Sequence, residues 1–349
     1  MIQGVRLQQF RSYTDSSYEF ERGVNIIVGP NASGKTNLIE ALLVASQGGS
    51  YRAADQDLVQ HGCDWARIDL FGDEQTLTTK LILQPKPDKQ FEIAGKTQKT
   101  LRFDQITPVV LFEPNNLQLL TQSPELRRGY LDDVIAKIDR SYGTLLRSYR
   151  RTLAQRNRLL KQPNVTNDMY FVWNVRLCEL GGQLALRRDA FVKDNAALAE
   201  RQYNNLVDKT HKVSLVYQSV IPMAGYSEHM LRELDKRLPV DQQRGFTTLG
   251  PHRDDLIIRI DDHDLSLSAS RGETRTIVLA MKLVELEVVE TARGQRPIML
   301  LDDVFSELDG ARRKNLTTVL KEHQSFITTT DADVVVHHFL GDCNVITTG

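Results

Sequence analysis

The stretch Gly29-Pro30-Asn31-Ala32-Ser33-Gly34-Lys35-Thr36 places four residues between two glycines and follows the second with Lys-Thr, the spacing of a phosphate-binding loop. The residue types suit that task. Gly29 and Gly34 let the chain turn tightly enough for backbone N–H groups to face an anion. A helix beginning near Gly34 adds its positive dipole end. Lys35 supplies a point charge for the β- and γ-phosphates of ATP, and Thr36 offers a hydroxyl to a magnesium ion. The flanks agree. Val24, Ile26, Ile27 and Val28 form a short apolar run that reads as a buried strand, and Leu38, Ile39, Leu42 and Leu43 recur at helical spacing. A glycine-rich turn without a ligand is the plain alternative, and it requires neither flank.

The other half of this site lies far along the chain. Ile298-Met299-Leu300-Leu301-Asp302-Asp303 is an apolar strand that ends in two carboxylates. Asp302 is placed to hold Mg2+, directly or through water. Asp303 is placed to orient or activate the attacking water, which makes it, with Lys35, the expected catalytic pair. Two Asp residues at a strand end are common in loops. Joined to the phosphate loop they complete a nucleotide site. Phe326-Ile327-Thr328-Thr329-Thr330-Asp331 reads as a last buried strand whose polar end, with Ser306-Glu307-Leu308-Asp309, falls at the same sheet edge.

The wide separation of the two halves predicts an α/β ATPase lobe split by an inserted domain. We expect the first half of the lobe over 1–118, an all-helical arm over 119–243, and the second half over 244–349. In the first part Val5, Leu7 and Phe10, then Ile68–Leu70, Leu77–Leu83 and Phe91–Ile93, read as short strands, with turns at Asp73-Glu74 and Pro85–Asp88. Ser46–Asp57 reads as a loop. Beyond Asn116, Leu131, Ile135, Ile138, Tyr142, Leu145, Tyr149 and Leu153 form one apolar stripe that ends at Gln162-Pro163-Asn164. Trp173, Leu177, Leu180, Leu184, Phe191 and Leu198 form another. Two helices of about 40 residues, each about 60 Å long, are expected to pair as an antiparallel arm. Leu120 to Gln162 holds ten Lys/Arg against four Asp/Glu. Arg147, Arg150, Arg151 and Arg156 lie off the stripe and are candidate phosphate contacts, although an ordinary solvated helix face gives the same excess.

Composition narrows the class. Formal net charge is −1 and the pI is about 6.7, so a nucleic-acid partner requires a local basic face. Cys63, Cys178 and Cys343 have no paired spacing for zinc or disulfides, which fits a reducing compartment. The first residues carry charge too early for a signal peptide. With no long apolar run, nothing is expected to span a membrane, and the expectation is a cytoplasmic protein without a membrane partner. Three glycosylation sequons, at Asn31, Asn164 and Asn315, are chance matches in such a chain. His337-His338 is read as a surface pair.

Ser268-Ala269-Ser270-Arg271-Gly272-Glu273 precedes an amphipathic helix carrying Ile277, Leu279, Leu283, Leu286 and Val289. The plain reading is an N-cap by Ser270 with Glu273 at the capping-box position. The functional reading is a second phosphate cradle. A chain with its own phosphate loop has no need of one for its own ATP. A cradle that reaches a second copy does have a use, and this predicts a homodimer with ATP sandwiched at the interface.

The order of these motifs resembles the ABC-type ATPase heads of the SMC-like repair proteins, and within them the RecF family. Gln9-Phe10-Arg11-Ser12-Tyr13 looks like that family's N-terminal segment near the adenine. Gly29–Thr36 is similar to its Walker A, and Val110–Pro114 with Ser123-Pro124, Arg127-Arg128 and Leu131-Asp132 resembles its passage into the helical lobe. Gly250-Pro251-His252-Arg253-Asp254-Asp255 matches a further family segment, Ser270-Arg271-Gly272 the signature, and Leu301–Asp309 the Walker B and D-loop. The signature is usually followed by Gln, and here Glu273 stands in its place. No Q-loop glutamine is identified, and Glu113 is the candidate. The resemblance implies an ABC-type head, with ATP contacted by Arg11, Gly29, Asn31, Gly34, Lys35, Thr36, Ser270 and Gly272, and Mg2+ by Thr36 and Asp302. It also implies weak DNA-stimulated ATP hydrolysis, an ATP-dependent homodimer, and binding to duplex or gapped DNA and single/double-strand junctions. RecR and RecO type mediators are the implied partners, with RecA loaded at gaps in recombinational repair and replication restart. A cohesin-like tether needs much longer arms, often with paired cysteines, and a transporter ATPase subunit a shorter insert.

Overall fold

The computed structural model describes residues 1–73, 75–163, 165–305, 308–339 and 342–348. The chain forms two compact units, Met1–Asn116 with Val289–Gly349 and Leu117–Val288. The first opens with β1 (Ile2–Phe10), β2 (Tyr13–Glu19) and β3 (Val24–Val28), which leads into α1 (Lys35–Gln47). It continues through β4 (Trp65–Gly72), β5 (Thr76–Ile82), β6 (Asp88–Ile93), β7 (Lys96–Gln98) and β8 (Val109–Phe112). An antiparallel sheet runs β2-β1-β4-β5-β6-β7. Its strands alternate as a sheet with one buried face requires: Val5, Leu7 and Phe10 of β1 are fully buried while Gln3 and Arg6 are exposed.

The second unit contains α2 (Gln118–Thr121), α3 (Pro124–Ile138), α4 (Tyr142–Leu159), α5 (Asn167–Asn204), β9 (Val213–Gln218) and α6 (Tyr226–Arg244). After these come β10 (Asp255–Ile260), β11 (His263–Asp264), α7 (Leu265–Ser268) and α8 (Arg271–Arg293), of which the residues from Val289 onward count with the first unit. The insert is therefore not purely helical. Val213, Leu215 and Tyr217 of β9 face the core and pair with β10, so residues beyond 243, expected to return to the ATPase lobe, belong to the inserted unit as far as Val288. The first apolar stripe is also two helices. Asp139 leaves the helical region (φ −115°, ψ 108°), and its carboxylate accepts from the Ser141 N–H at 2.8 Å, a local turn that competes with helix propagation. The second stripe is one helix of 38 residues. The expected end of the first arm helix at Asn164 and the turn at Glu74 lie outside the described residues.

Arg156 is a correction of another kind. It is fully buried, not displayed on the arm surface. Its guanidinium donates to Asp241 at 2.8 Å, Asn174 at 2.7 Å and Thr247 at 2.7 Å, joining α4, α5 and the end of α6. A buried guanidinium is tolerated when its charge is matched, as Asp241 matches it here, although Nη2 has no partner among the described residues. Arg147, Arg150 and Arg151 are exposed. The Gly250–Asp255 segment is a second polar hub of this unit. Asp255 takes a two-pronged bond from Arg127 (2.8 and 2.7 Å), Arg188 donates to the Pro251 carbonyl at 2.6 Å, and Asp254 accepts from Tyr217 and Tyr226.

The chain returns to the first unit with β12 (Ile298–Leu301), α9 (Gly310–Glu322), β13 (Ser325–Thr329), α10 (Ala332–Phe339) and β14 (Asn344–Thr347). These complete a parallel sheet in the order β14-β3-β13-β12-β8. Every residue of β12 and β13 is buried, as expected of parallel strands covered on both faces. One core joins both sheets through α1: Leu38, Ile39 and Leu42 pack with Val5, Leu7 and Phe10 on one side and Leu300 and Phe326 on the other. That packing fixes the start of α1 at the carboxyl end of β3, beside the ends of β12 and β13.

Candidate nucleotide-binding site

The phosphate loop is shaped by two left-handed residues, Ala32 (φ 67°) and Gly34 (φ 102°). Helix α1 begins at Lys35 with no side-chain cap and no acidic residue in its first turn. Its first N–H groups therefore face out of the helix without intrahelical acceptors, the arrangement that takes an anion. Gly34 is required sterically as well. A Cβ there would lie 2.8 Å from the Tyr13 hydroxyl and 3.1 Å from Ser12 Oγ. The Tyr13 hydroxyl itself donates to the Gly34 carbonyl at 3.1 Å. Lys35 is buried, and its ammonium donates to the carbonyls of Gly29 (2.8 Å) and Pro30 (3.0 Å), so the charge is held inside the loop. Asn31 sits exposed at its rim.

The two halves of the site meet directly. Thr36 Oγ1 donates to Asp302 Oδ1 at 2.9 Å, and Thr328 Oγ1 at the end of β13 donates to the same oxygen at 2.8 Å. Asp303 follows in the left-handed region (φ 52°), and its N–H donates to Thr328 Oγ1 at 2.9 Å. The chain thus turns at the pair instead of continuing the strand. Strand register adds Glu113. The Asp302 N–H donates to the Phe112 carbonyl at 2.9 Å, so Glu113 leaves the sheet beside Asp302. Ser306 and Glu307 of the expected D-loop lie outside the described residues.

A cluster that the sequence did not signal braces α1 from behind. Glu40, one helical turn after Thr36, is fully buried. Arg11 grips it with two bonds of 2.9 Å, Arg52 adds one of 2.9 Å and Ser50 Oγ one of 2.6 Å. Burial pushes the Glu40 carboxyl up, but the hydrogen bonds from Arg11, Arg52 and Ser50 outweigh it and hold the pKa down at about 2. Arg11 is itself left-handed (φ 53°) and donates also to the Asp57 carbonyl at 2.8 Å. Much of its guanidinium is thus committed to Glu40 and Asp57. Tyr51 stands close by. Burial, then the negative charges of Asp302, Glu113 and Glu40, raise its phenol pKa against the lowering influence of Arg52. The stretch Ser46–Asp57, read as a plain loop, contains the end of α1 and these three site residues, Ser50, Tyr51 and Arg52.

Ser270 and Gly272 lie in the second unit. There Ser270 and Glu273 form a reciprocal capping box: the Ser270 N–H donates to Glu273 Oε2 at 2.8 Å, and the Glu273 N–H donates to Ser270 Oγ at 3.2 Å. Glu273 caps its own helix, and the Ser270 contact holds its carboxyl below the usual range. Ser270, Arg271 and Gly272 are exposed.

The family described as RecF/RecN/SMC N terminal domain matches residues 1–339. The chain belongs to this family. It is 37% identical to the DNA replication and repair protein RecF of Symbiobacterium thermophilum, over 97% of this chain and 94% of that one. It is 34% identical to the RecF of Halalkalibacterium halodurans, over 99% and 96%. A solved structure of the recombination mediator protein RecF-ATPrS in the RecFOR pathway superposes with a TM-score of 0.87 at 29% identity, covering 96% of this chain and 94% of that one. The corresponding RecF-ATP structure gives 0.86 at 30%, covering 95% and 92%. An SMC head from Pyrococcus furiosus shares the fold, with a TM-score of 0.53 at 16% identity over 97% and 91%. The family's fold is the ABC-type ATPase head with an inserted lobe. Among the described residues no helix is long and apolar enough to cross a membrane.

Proposed function

We propose that this chain is a DNA repair ATPase of the RecF kind, which binds ATP and magnesium in the first unit and hydrolyses ATP slowly. The observation that carries the reading is the bond between Thr36 and Asp302 at the mouth of an uncapped helix N-terminus. Two hard oxygen donors side by side, next to an anion-binding loop, suit a magnesium ion paired with phosphate. When bound, that ion supplies positive charge to the β- and γ-phosphates. Thr36 and Asp302 are the residues to hold it. Lys35 places its ammonium among the same phosphates, and Asp303 holds the attacking water at the sheet edge and takes its proton. Arg11 lies toward the adenine, as the family resemblance implies.

Ser270 and Gly272 serve ATP held by a second copy, so ATP drives a homodimer. The dimer assembles a basic face for duplex and gapped DNA. RecR and RecO type mediators bind it there, and RecA loading at gaps is the outcome. The two solved RecF structures, each described as in the RecFOR pathway, support that assignment.

Nucleotide titration and molecular-mass measurement test it, with and without ATP and gapped DNA, on the wild type and Lys35→Ala. Loss of the ammonium removes a charge-assisted contact worth about 1.5–3 kcal/mol net, so ATP affinity falls at least about tenfold. Equal affinity in the two proteins removes Lys35 from the site. A wild type that stays monomeric with ATP removes the sandwich.

A further inference from the structure

The strand that ends the described chain is built against the phosphate loop. β14 lies beside β3 in parallel register, Thr347 opposite Val28, and Val28 is the last strand residue before Gly29. The next residue, Thr348, continues along the loop. Its N–H donates to the Val28 carbonyl at 2.8 Å, and it is buried to 3% exposure. Its hydroxyl meets Ser33 Oγ at 2.8 Å, a bond spanning 315 positions in sequence. The same hydroxyl lies 3.4 Å from the Val28 carbonyl. Ser33 sits between the two left-handed residues that shape the cradle, Ala32 and Gly34, and its N–H closes a turn on the Pro30 carbonyl at 3.2 Å. The packing here is close. A Cβ on Gly29 would fall 2.4 Å from Ser33 Oγ, 2.4 Å from the Thr348 carbonyl and 2.5 Å from its hydroxyl. Gly29 is thus glycine because Thr348 and Ser33 occupy the space beside it.

We propose that Thr348 is a positioning residue for ATP binding: its hydroxyl, clamped to β3, holds Ser33 and so sets the phosphate loop in its anion-binding shape before nucleotide arrives. This inference rests on the proposed nucleotide site. The physical reason is preorganisation. A loop of small residues with left-handed backbone has many conformations open to it. A tether at its middle removes most of them, and that ordering is then not charged against binding. The hydroxyl contacts the loop and not the reacting atoms, so its removal weakens ATP without slowing the chemical step.

The test is a double-mutant cycle on ATP affinity and on steady-state kcat and KM, using the wild type, Ser33→Ala, Thr348→Val and the double variant, with Thr348→Ser and Lys35→Ala alongside. Thr348→Val keeps shape and deletes the hydroxyl. Each single variant is expected to bind ATP roughly threefold to tenfold more weakly, the net worth of one hydrogen bond. The double variant is expected to be no weaker than the worse single, kcat to stay within about twofold, and Thr348→Ser to restore affinity. If the two losses add, or Thr348→Val binds like the wild type while Lys35→Ala does not, the tether is overturned and the nucleotide site stands. If Thr348→Val fails to fold, Ser33→Ala against Thr348→Ser decides the matter: wild-type affinity in Ser33→Ala overturns the tether, and a loss there with none in Thr348→Ser sustains it. A wild type that binds no ATP overturns both readings.

Discussion

Thr36 and Asp302 are 266 positions apart in the chain and share a 2.9 Å hydrogen bond. Asp302 also takes the Thr328 hydroxyl, so one carboxylate oxygen gathers α1, β12 and β13 at a single sheet edge. The next residue, Asp303, departs from strand geometry at that point. A left-handed aspartate is tolerable but not favoured, and such strain collects at functional sites.

Asp303→Asn is expected to bind ATP as the wild type does and to lose hydrolysis by about 10²–10⁴-fold, since a general base is removed while Asp302 keeps its charge. Mass measurement should then show an ATP-trapped dimer. Unchanged turnover would assign Asp303 to the turn alone and move the base elsewhere.

Ser270→Arg is expected to abolish ATP-driven dimerisation and to leave ATP binding by the monomer intact. Because Ser270 also caps α8, the variant loses about 1 kcal/mol of helix stability as well. Ser270→Ala separates the effects, as it removes the cap without adding bulk. Dimerisation that persists in Ser270→Arg contradicts contact across the interface.

The arginines of α4 should divide into two behaviours. Changing exposed Arg147, Arg150 and Arg151 to Ala is expected to flatten the slope of log DNA affinity against log salt by about one unit per lost phosphate contact, for every sequence alike. An unaltered slope would place the DNA surface elsewhere. Arg156→Ala should act on folding instead. It strands the buried Asp241 and is expected to cost about 3–5 kcal/mol in denaturant unfolding.

Stability should fall in acid, with one step set by His252. Burial lowers its pKa to about 4, outweighing its hydrogen bond to the Thr247 carbonyl, and Arg253, Arg128 and Arg156 lower it further. The Tyr149 hydroxyl meets its other ring nitrogen at 2.6 Å. The unfolded chain takes up this proton near pH 6.5 and the folded chain does not until about 4. The neutral ring's contribution is therefore complete above about 6.5 and is lost progressively as pH falls towards 4. Unfolding followed from pH 8 to 4 should show this slope in the wild type and a shallower one in His252→Gln. Equal slopes would remove His252 from the account. The Glu40 carboxylate, with its pKa near 2, adds a separate loss between about 4.5 and 2.

Much of the first unit was legible in sequence because its signals are local. A phosphate loop needs its glycines, lysine and threonine within eight residues. An apolar strand followed by two aspartates announces a sheet edge by itself. Parallel strands buried on both faces tend towards short apolar runs: β12 is one throughout, β3 departs from it at Asn25, and β13 has Phe326-Ile327 beside Ser325 and two threonines.

What only the tertiary structure decided concerns partners distant in sequence. Arg156 continues the buried three- and four-residue steps of Tyr142, Leu145, Tyr149 and Thr152, so its inner-face position was there to be read; what the sequence did not show is that Asp241 and Thr247 come to meet a charge on that face. The break at Asp139 turns on one carboxylate choosing a local N–H over solvent, against an apolar stripe that runs straight through it. Residues 244–288 join the insert because β10 finds β9, a pairing that hydrogen bonds make and hydropathy does not show. Glu40 between Arg11 and Arg52, and Thr348 against Ser33, belong to the same class. The sequence determined which groups this protein has for binding a phosphate, because that chemistry lies in adjacent residues. The fold determined what holds those groups in place, because a buried charge or hydroxyl is satisfied by whichever strand or helix the packing brings to it.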